Sequence, residues 1–264
     1  MAKLVLTPLS DDRRPIMVVS HERSGTHFMM NTMAACFDYV SNPRVDIDTH
    51  QFNINYYHPL DLKALILRIA ELRAANTLKS HHEFEFFSKI ITTFEGLIDI
   101  VYIYRNPADV MASFWRFLHT WDWVEGPKVG TVLDFATTSP MGQLMRYQFR
   151  QYDTMLDRWA NHVEHWVEAP LQATNVHVVR YEDLTHRFAD TVKALGVGLG
   201  VEPRRIERPE RGENVVQNGG VNFVPAAGAD NRDAVAGLAM SKFPKLMSRL
   251  GYDGNSLNSA RSRI

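Results

Sequence analysis

The stretch from Ile16 to Met33, IMVVSHERSGTHFMMNTM, constrains the fold more than any other part of the chain. Four apolar residues lead into the polar turn SHERSGTH, and an apolar-rich run with helical spacing follows at once. This order is typical of a strand that enters a helix directly, as in the βα units of parallel sheets. The sequence therefore predicts a strand over Ile16–Ser20, a helix over Thr26–Phe37, and an anion held at the turn between them.

Short apolar runs alternate with longer amphipathic ones along the rest of the chain. We expect further strands at Thr77–His81, Leu97–Arg105 and Asn175–Asp183. Helices are expected in HPLDLKALILRIAELRAAN up to Asn76, from Pro107, within the amphipathic segment Gln143–Glu168, over Phe188–Leu195, and at the end of the chain, before a final RLGYDG. This pattern predicts an α/β fold with three layers, a central parallel sheet and one domain over residues 1–264.

Composition excludes several classes of protein. The chain is 45% hydrophobic and 22% charged, as in ordinary soluble globular proteins. Its net charge of −1 gives no general basic field for nucleic acid, so an anion site must be built locally. Cys36 is the only cysteine, which excludes an internal disulfide and any zinc site with two cysteines. No metal-ligand cluster, membrane-length apolar run or secretory core is present, so we expect a cytoplasmic protein without a metal.

The turn after the first predicted strand has the residues of a phosphate cradle. Gly25 allows the backbone to approach closely, Arg23 adds a fixed charge, and Ser24 and Thr26 add hydroxyl donors. The kinase pattern G-x-x-x-x-G-K-[ST] does not fit, because the first glycine and the lysine after Gly25 are missing. Taken alone, these residues would also suit a capped turn without a ligand.

A second turn repeats this arrangement. Arg105 ends a predicted strand, Asn106 can cap the next helix, and Pro107 suits its first position. Ser113 follows about two helical turns later, so it could meet Arg105 at a second phosphate. Alternatively, Arg105 would form a surface salt bridge and Ser113 would be an ordinary helical serine. Two such turns at strand ends favour a ligand with phosphates at two places.

Three stretches together resemble the PAPS-dependent sulfotransferases in order and approximate spacing: SHERSGTHF, VYIYRNPADVMASFWRF and VVRYEDL. That family has a P-K-S-G-T-T-W loop for the 5′-phosphosulfate, an R-N-P-x-D-x-x-x-S element for the 3′-phosphate, and a later Y-E-D turn. The second element matches from Arg105 to Ser113, and RWANHVEHWVE is similar to the helix before the Y-E-D strand. The resemblance extends from about Ile16 to Leu195, with a looser likeness in the terminal helix, and implies a fold of the P-loop nucleotide hydrolase type.

The resemblance also implies a catalytic histidine after a K-[TS]-H stretch. Here LKSHHEF supplies Lys79 and His81, and a histidine near neutral pKa suits a general base for an acceptor hydroxyl. His82 is the rival, although strand alternation would point the two rings to opposite faces. An ordinary surface histidine is the other interpretation. Lys79 would supply a second cation for the transferred group.

The remaining expected contacts follow the same resemblance. Arg23 stands where many cytosolic members have lysine, and His27, where a second threonine often occurs, would touch the phosphosulfate or simply begin the helix. Tyr181 matches a tyrosine that lines the nucleotide site, although Tyr-Glu-Asp also makes a good turn and helix cap. The family's closing loop, R-K-G-x-x-G-x-W, fits poorly, and Arg211 and Gly212 are the candidates within the glycine-rich stretch 208–228.

The sequence thus predicts sulfuryl transfer from PAPS to a hydroxyl or amine of a small-molecule, sugar or lipid acceptor, with PAP as product. A P-loop-type phosphotransferase and a non-catalytic nucleotide-binding protein of the same fold are the alternatives. The aromatic stretch from Ser113 to Trp123 would border the acceptor, form core, or make a dimer contact. The segment from Asp48 to His58 would flank the acceptor or be an ordinary loop. Acceptor identity and the question of a homo-oligomer stay open.

Overall fold

The computed structural model describes residues 5–9, 13–47, 52, 54–120, 126–210 and 224–253. Its contacts divide the chain into two compact units, Met1–Arg105 with His165–Gln217 and Asn106–Glu164 with Asn218–Ile264. The first unit contains the whole sheet, and the described elements of the second are helical. The organisation of residues 1–264 as one domain stays a prediction.

A five-stranded parallel sheet forms the centre of the first unit, in the order β2-β3-β1-β4-β5. The central strand β1 pairs with β3 on one side and with β4 on the other, so the strand order reverses there. Ligands of such sheets bind beyond the carboxyl ends of the strands, near this reversal. The strands are β1 Ile16–Val19, β2 Val40–Asp46, β3 Asn76–Ser80, β4 Asp99–Tyr104 and β5 Val176–Arg180.

Helices follow most of the strands. The α-helices are α1 Thr26–Phe37, α2 Pro59–Glu71, α3 Pro107–Thr120, α4 Val132–Thr137, α5 Met155–Glu168, α6 Tyr181–His186, α7 Phe188–Leu199, α8 Arg232–Lys242 and α9 Pro244–Arg249. Short 3₁₀ turns lie at Phe84–Phe86, Ile91–Phe94, Gly142–Tyr147 and Ala169–Leu171.

The two faces of the sheet carry two separate apolar clusters. Ile16 and Val18 of β1 pack with side chains of α1, α6 and α7 on one face. Met17 and Val19 face the other cluster, which includes α2 and the 3₁₀ turns after β3. Because strand side chains alternate, an uninterrupted apolar strand requires helices on both faces. The predicted α/β fold with three layers and a central parallel sheet is confirmed.

Several element boundaries differ from the predicted ones. β2 falls within the polar connection after α1, and its Pro43 is tolerated because β2 is an edge strand. The segment 143–168 is not helical throughout, since it opens with a 3₁₀ turn and α5 begins only at Met155. The terminal helix is split at Phe243, where Pro244 begins α9.

Candidate functional site

The turn between β1 and α1 has a backbone that few residues adopt. Arg23 has a φ of 65° and Gly25 a φ of 106°, both in the left-handed region. The Ser24 N–H donates to the carbonyl of His21 at 3.2 Å, and the Met29 N–H closes the first helical turn on the Gly25 carbonyl at 3.0 Å. The N–H groups of that first turn therefore have no acceptor within α1, which suits an anion.

The ring of Tyr181 packs directly against this turn and forms its wall. A Cβ added at Gly25 would lie 2.9 Å from Cε2 of Tyr181 and closer still to Cδ2, so only glycine fits here. The Arg105 guanidinium lies over the same ring, with its carbon 4.5 Å from the ring centroid. The ends of β1, β4 and β5 thus meet around one ring.

Two guanidinium groups are close enough to influence each other at this edge. Burial lowers the pKa of Arg23, and the nearby charge of Arg105 lowers it further. Arginine still stays charged, since its ordinary pKa is far above neutrality. Ser24 is fully buried, and its Oγ has no hydrogen-bond partner among the residues described. A phosphate or phosphosulfate oxygen would accept a hydrogen bond from the Ser24 hydroxyl and would offset the positive charges of Arg23 and Arg105.

His81 reaches this same turn. Its Nδ1 lies 2.9 Å from the carbonyl oxygen of Ser20 and 3.4 Å from the Ser20 Oγ. A carbonyl can only accept, so Nδ1 carries a proton and the lone pair of the neutral ring lies on Nε2. The Ser20 Oγ in turn lies 2.6 Å from the Oγ1 of Thr26, the first residue of α1. Hydrogen bonds through Ser20 therefore join His81 to the turn between β1 and α1.

His82 has a different environment. Its ring stacks on Tyr56 at 4.9 Å between centroids and meets the edge of Phe86 at 4.8 Å. Its carbonyl accepts a hydrogen bond from Nε1 of Trp166 at 3.0 Å. The two adjacent histidines thus have different surroundings, and the contacts of His82 are those of a core residue. Strand alternation is not the cause, because β3 ends at Ser80 and both histidines follow it.

Lys79 forms an ion pair within the sheet. Its Nζ lies 3.1 Å from Oδ2 of Asp46, on the neighbouring strand β2, and the lysine is buried. Sequence reasoning did not find Asp46, because β2 itself was not predicted. The ion pair gives Lys79 a contact that stabilises the sheet, and its role toward a transferred group stays a prediction.

Other predicted residues fall elsewhere. Asn106 caps α3, since its Oδ1 accepts the Ala108 N–H at 2.9 Å, and Pro107 begins that helix as expected. Ser113 lies on α3, in the second unit, and its convergence with Arg105 stays a prediction. His27 occupies the first turn of α1. Arg211 and Gly212 lie outside the described residues.

The aromatic stretch that begins at Ser113 is partly core. Phe114 and Trp115 are buried, the ring of Phe114 meets the edge of Phe135 at 5.5 Å, and Nε1 of Trp115 donates to the carbonyl of Val129 at 2.7 Å. These contacts lie within the second unit and are those of structural residues. Residues 121–125 of this stretch are outside the described part of the chain.

Sequence reasoning missed an aromatic surface beside the turn. Phe28 meets the Tyr181 ring edge-on at 6.0 Å and lies 6.4 Å from the Phe188 ring. The guanidinium carbon of Arg208 lies 5.6 Å from the Phe28 centroid. The available signal was an aromatic residue just after the polar turn, whereas nothing in the spacing pointed to Arg208.

The described residues contain neither a metal-binding cluster nor a membrane-spanning helix. No group of three or more His, Cys, Asp or Glu side chains there could hold a metal ion. No helix in that part of the chain combines the length and apolar character needed to cross a bilayer.

Comparison with known proteins gives one family and a set of similar folds. The sulfotransferase from Alicyclobacillus acidocaldarius has a TM-score of 0.53 and 14% identity, over 92% of this chain and 98% of that one. Mouse sulfotransferase SULT7A1 complexed with PAP has a TM-score of 0.49 and 20% identity, over 74% and 60%. Retinol dehydratase in complex with retinol and PAP has a TM-score of 0.45 and 17% identity, over 74% and 62%. This chain spans about three fifths of the length of the last two proteins.

No curated protein sequence matches the chain. A family model described as a sulfotransferase domain matches residues 13–218, which include the two turns and His81. That match covers well over half of the chain, and the chain therefore belongs to the sulfotransferase domain family.

Proposed function

We propose that the protein transfers a sulfuryl group from PAPS to an acceptor hydroxyl or amine and releases PAP. The observation that carries this proposal is the hydrogen-bonded link, through Ser20, between His81 and the turn that holds Arg23 and the buried Ser24 hydroxyl. A sulfuryl donor must be held by its phosphate at one place and be attacked by an activated acceptor close by. Family membership supports the same reaction.

The residues of the first turn fit the phosphosulfate end of the donor. Ser24, Thr26 and the backbone N–H groups at the start of α1 supply neutral donors, and Arg23 supplies a fixed charge. Gly25 keeps the backbone close to the Tyr181 wall, so the ligand and the ring share one surface. PAPS would supply the sulfuryl group, and these residues would hold and orient it.

The Arg105 turn fits the other end of the same nucleotide. We assign Arg105, with Ser113 as its partner, to the 3′-phosphate, in line with the R-N-P-x-D-x-x-x-S element. The aromatic faces of Tyr181 and Phe28 would pack against the adenine ring, because purines stack readily on aromatic side chains. Arg211 and Gly212 remain the candidates for closing over the nucleotide.

The chemical step requires a base and stabilisation of negative charge. His81 accepts the acceptor's proton on Nε2, since the Ser20 carbonyl fixes the proton on Nδ1. Such a base contributes about 10²–10⁴ in rate. Arg23 stabilises the charge that develops on the leaving phosphate by electrostatic attraction, and it keeps its own proton. The acceptor would be a small molecule, a sugar or a lipid.

The experiment compares donor binding with transfer in two histidine variants. We expect His81→Ala to keep its affinity for PAP while transfer from labelled PAPS to a panel of acceptors falls about 10²–10⁴-fold. His186→Ala is the matched control, since His186 is exposed at the end of α6. Undiminished transfer by His81→Ala would contradict the proposal.

A thermal-shift assay separates the other candidate functions. PAP should raise the melting temperature, whereas a P-loop-type phosphotransferase would respond to ATP with Mg²⁺ instead. A protein that binds PAP but shows no transfer to any acceptor class would be a nucleotide-binding member of the fold.

A further inference from the structure

Ser20 occupies the junction between the candidate base and the anion-binding turn. It is the residue directly after β1, and its side chain touches both Thr26 of α1 and His81 after β3. All three residues are closed off from solvent, with exposed fractions of 0% for Ser20, 4% for Thr26 and 9% for His81. Water is therefore a poor substitute for any of these contacts.

The directions of the hydrogen bonds in this cluster are linked. The Nδ1–H of His81 donates chiefly to the Ser20 carbonyl. It also makes a weaker contact with the Ser20 Oγ, which lies 3.4 Å from Nδ1. Either hydroxyl can be the donor in the 2.6 Å contact between Ser20 Oγ and Thr26 Oγ1, and a Ser20 Oγ that accepts from that N–H has its own proton available for Thr26 Oγ1. Thr26 then accepts from Ser20, and its own proton can be donated to an anion at the turn.

We propose that Ser20 is a positioning residue that couples His81 to the donor-binding turn through its hydroxyl group. This inference depends on the proposed function, because it requires an anionic donor at the turn and His81 as the base. It adds to that function that the Ser20 hydroxyl links the protonation of His81 to the strength of the hydrogen bond from Thr26 to the donor.

The coupling acts while the acceptor loses its proton. The acceptor O–H bond breaks, its proton moves to Nε2 of His81, and the ring becomes a cation. The acceptor oxygen forms a bond to the sulfur while the bond from the sulfur to the phosphate oxygen breaks, and the phosphate leaves as part of PAP. The Nδ1–H is then a stronger donor, which polarises the Ser20 hydroxyl and, in turn, the hydroxyl of Thr26. The contact from Thr26 therefore strengthens as negative charge develops on the leaving phosphate. No proton leaves this chain of hydrogen bonds during the step.

A double-mutant cycle tests the coupling in transfer kinetics. Ser20→Ala should lower kcat about 5- to 10-fold with little change in the KM for PAPS, since it removes only the link. Thr26→Ala should lower kcat to a similar extent and should also raise the KM for PAPS, since Thr26 contacts the donor itself. The double variant should be no slower than the slower single variant, because both changes break the same path. Effects that multiply in the double variant would overturn the inference.

A spectroscopic measurement avoids dependence on activity. In ¹⁵N-histidine-labelled protein, PAP should shift the Nδ1 resonance of His81 in the wild type and in Thr26→Ser, which keeps the hydroxyl. The shift should be lost in Ser20→Ala. An equal shift in Ser20→Ala, or none in the wild type that binds PAP, would overturn the coupling. A wild type that neither binds PAP nor transfers sulfuryl groups would instead overturn the proposed function.

Discussion

The guanidinium carbon of Arg105 lies 4.5 Å from the centroid of the Tyr181 ring, and the same ring closes the space beside Gly25. One aromatic side chain thus supports both cationic turns of the candidate site. It belongs to the first residue of α6, immediately after β5, so its position is fixed by the sheet. Removing it should disturb both turns at once.

Tyr181→Ala should therefore weaken PAP binding more than the loss of one contact would. We expect about a 10-fold or larger loss in affinity by isothermal titration calorimetry, because the cation–π contact to Arg105 is lost and the turn loses its wall. Tyr181→Phe is the matched control, since it keeps the ring and removes only the hydroxyl. Similar losses in the two variants would show that the ring itself is not the support.

Gly25→Ala should lower both stability and donor affinity. The added Cβ meets the Tyr181 ring, and a φ of 106° is unfavourable for alanine. We expect a loss of about 1–3 kcal/mol in the free energy of unfolding, measured with urea, together with weaker PAP binding.

Gly96→Ala separates these two causes. Gly96 also has a positive φ, 75°, but no atom lies within 4 Å of the position of its added Cβ. This control should lose only the backbone term, about 1 kcal/mol, and should keep its affinity for PAP. An equally weak PAP affinity in Gly96→Ala would show that global destabilisation, and not contact with Tyr181, explains the effect.

Lys79→Met should destabilise the protein. The substitution leaves Asp46 without its 3.1 Å partner on the adjacent strand, and we expect a loss of about 1–3 kcal/mol in the free energy of unfolding. The variant Lys79→Met with Asp46→Asn should recover part of that loss. Transfer assays on both variants then measure what Lys79 adds to the reaction, because a catalytic defect that persists in the stabilised double variant belongs to the chemistry.

Alkaline pH should weaken the fold through Tyr104. Burial is the main cause that raises the pKa of this phenol from 10.0 to about 12, Glu182 and Asp183 add to the rise, and Arg180 opposes it. The neutral phenol is thus favoured in the folded state. Its contribution is complete below about pH 10 and is lost as the pH rises through about 12, with a slope of up to about 1.4 kcal/mol per pH unit.

The measurement is the free energy of unfolding between pH 8 and 12 for the wild type and for Tyr104→Phe. The variant cannot ionise at this position, so its stability should fall less steeply above pH 10. Parallel curves for the two proteins would contradict the assigned pKa.

The two interior strands β1 and β4 were predictable because they are apolar on both faces. β1 is an uninterrupted apolar run, β4 is apolar after its first residue, Asp99, and each ends at a charged or polar turn. Such a run is typical of a strand buried within a parallel sheet. β2 escaped prediction because Asn42 and Pro43 interrupt it, and an edge strand tolerates what a central strand does not.

The candidate site was predictable only as separate pieces. Motif register selected Arg23, Arg105, His81 and Tyr181 as candidates, each from its own short stretch, and their roles stay predictions. The Ser20 link, the pairing of Lys79 with Asp46 and the place of Arg208 over Phe28 depend on which strands and turns become neighbours. Local spacing carries no information on such long-range contacts, so these could only be read from the folded chain.

The order of the strands has a consequence for how the protein matures. Gly25 and Arg105, which contact the Tyr181 ring, precede that ring by many residues in the chain. A fragment that stops before β5 therefore contains both cationic turns but lacks the ring that they contact. Under the proposed function, a chain that ends before β5 should therefore fail to bind PAP, and PAP binding would report that the last strand is in place.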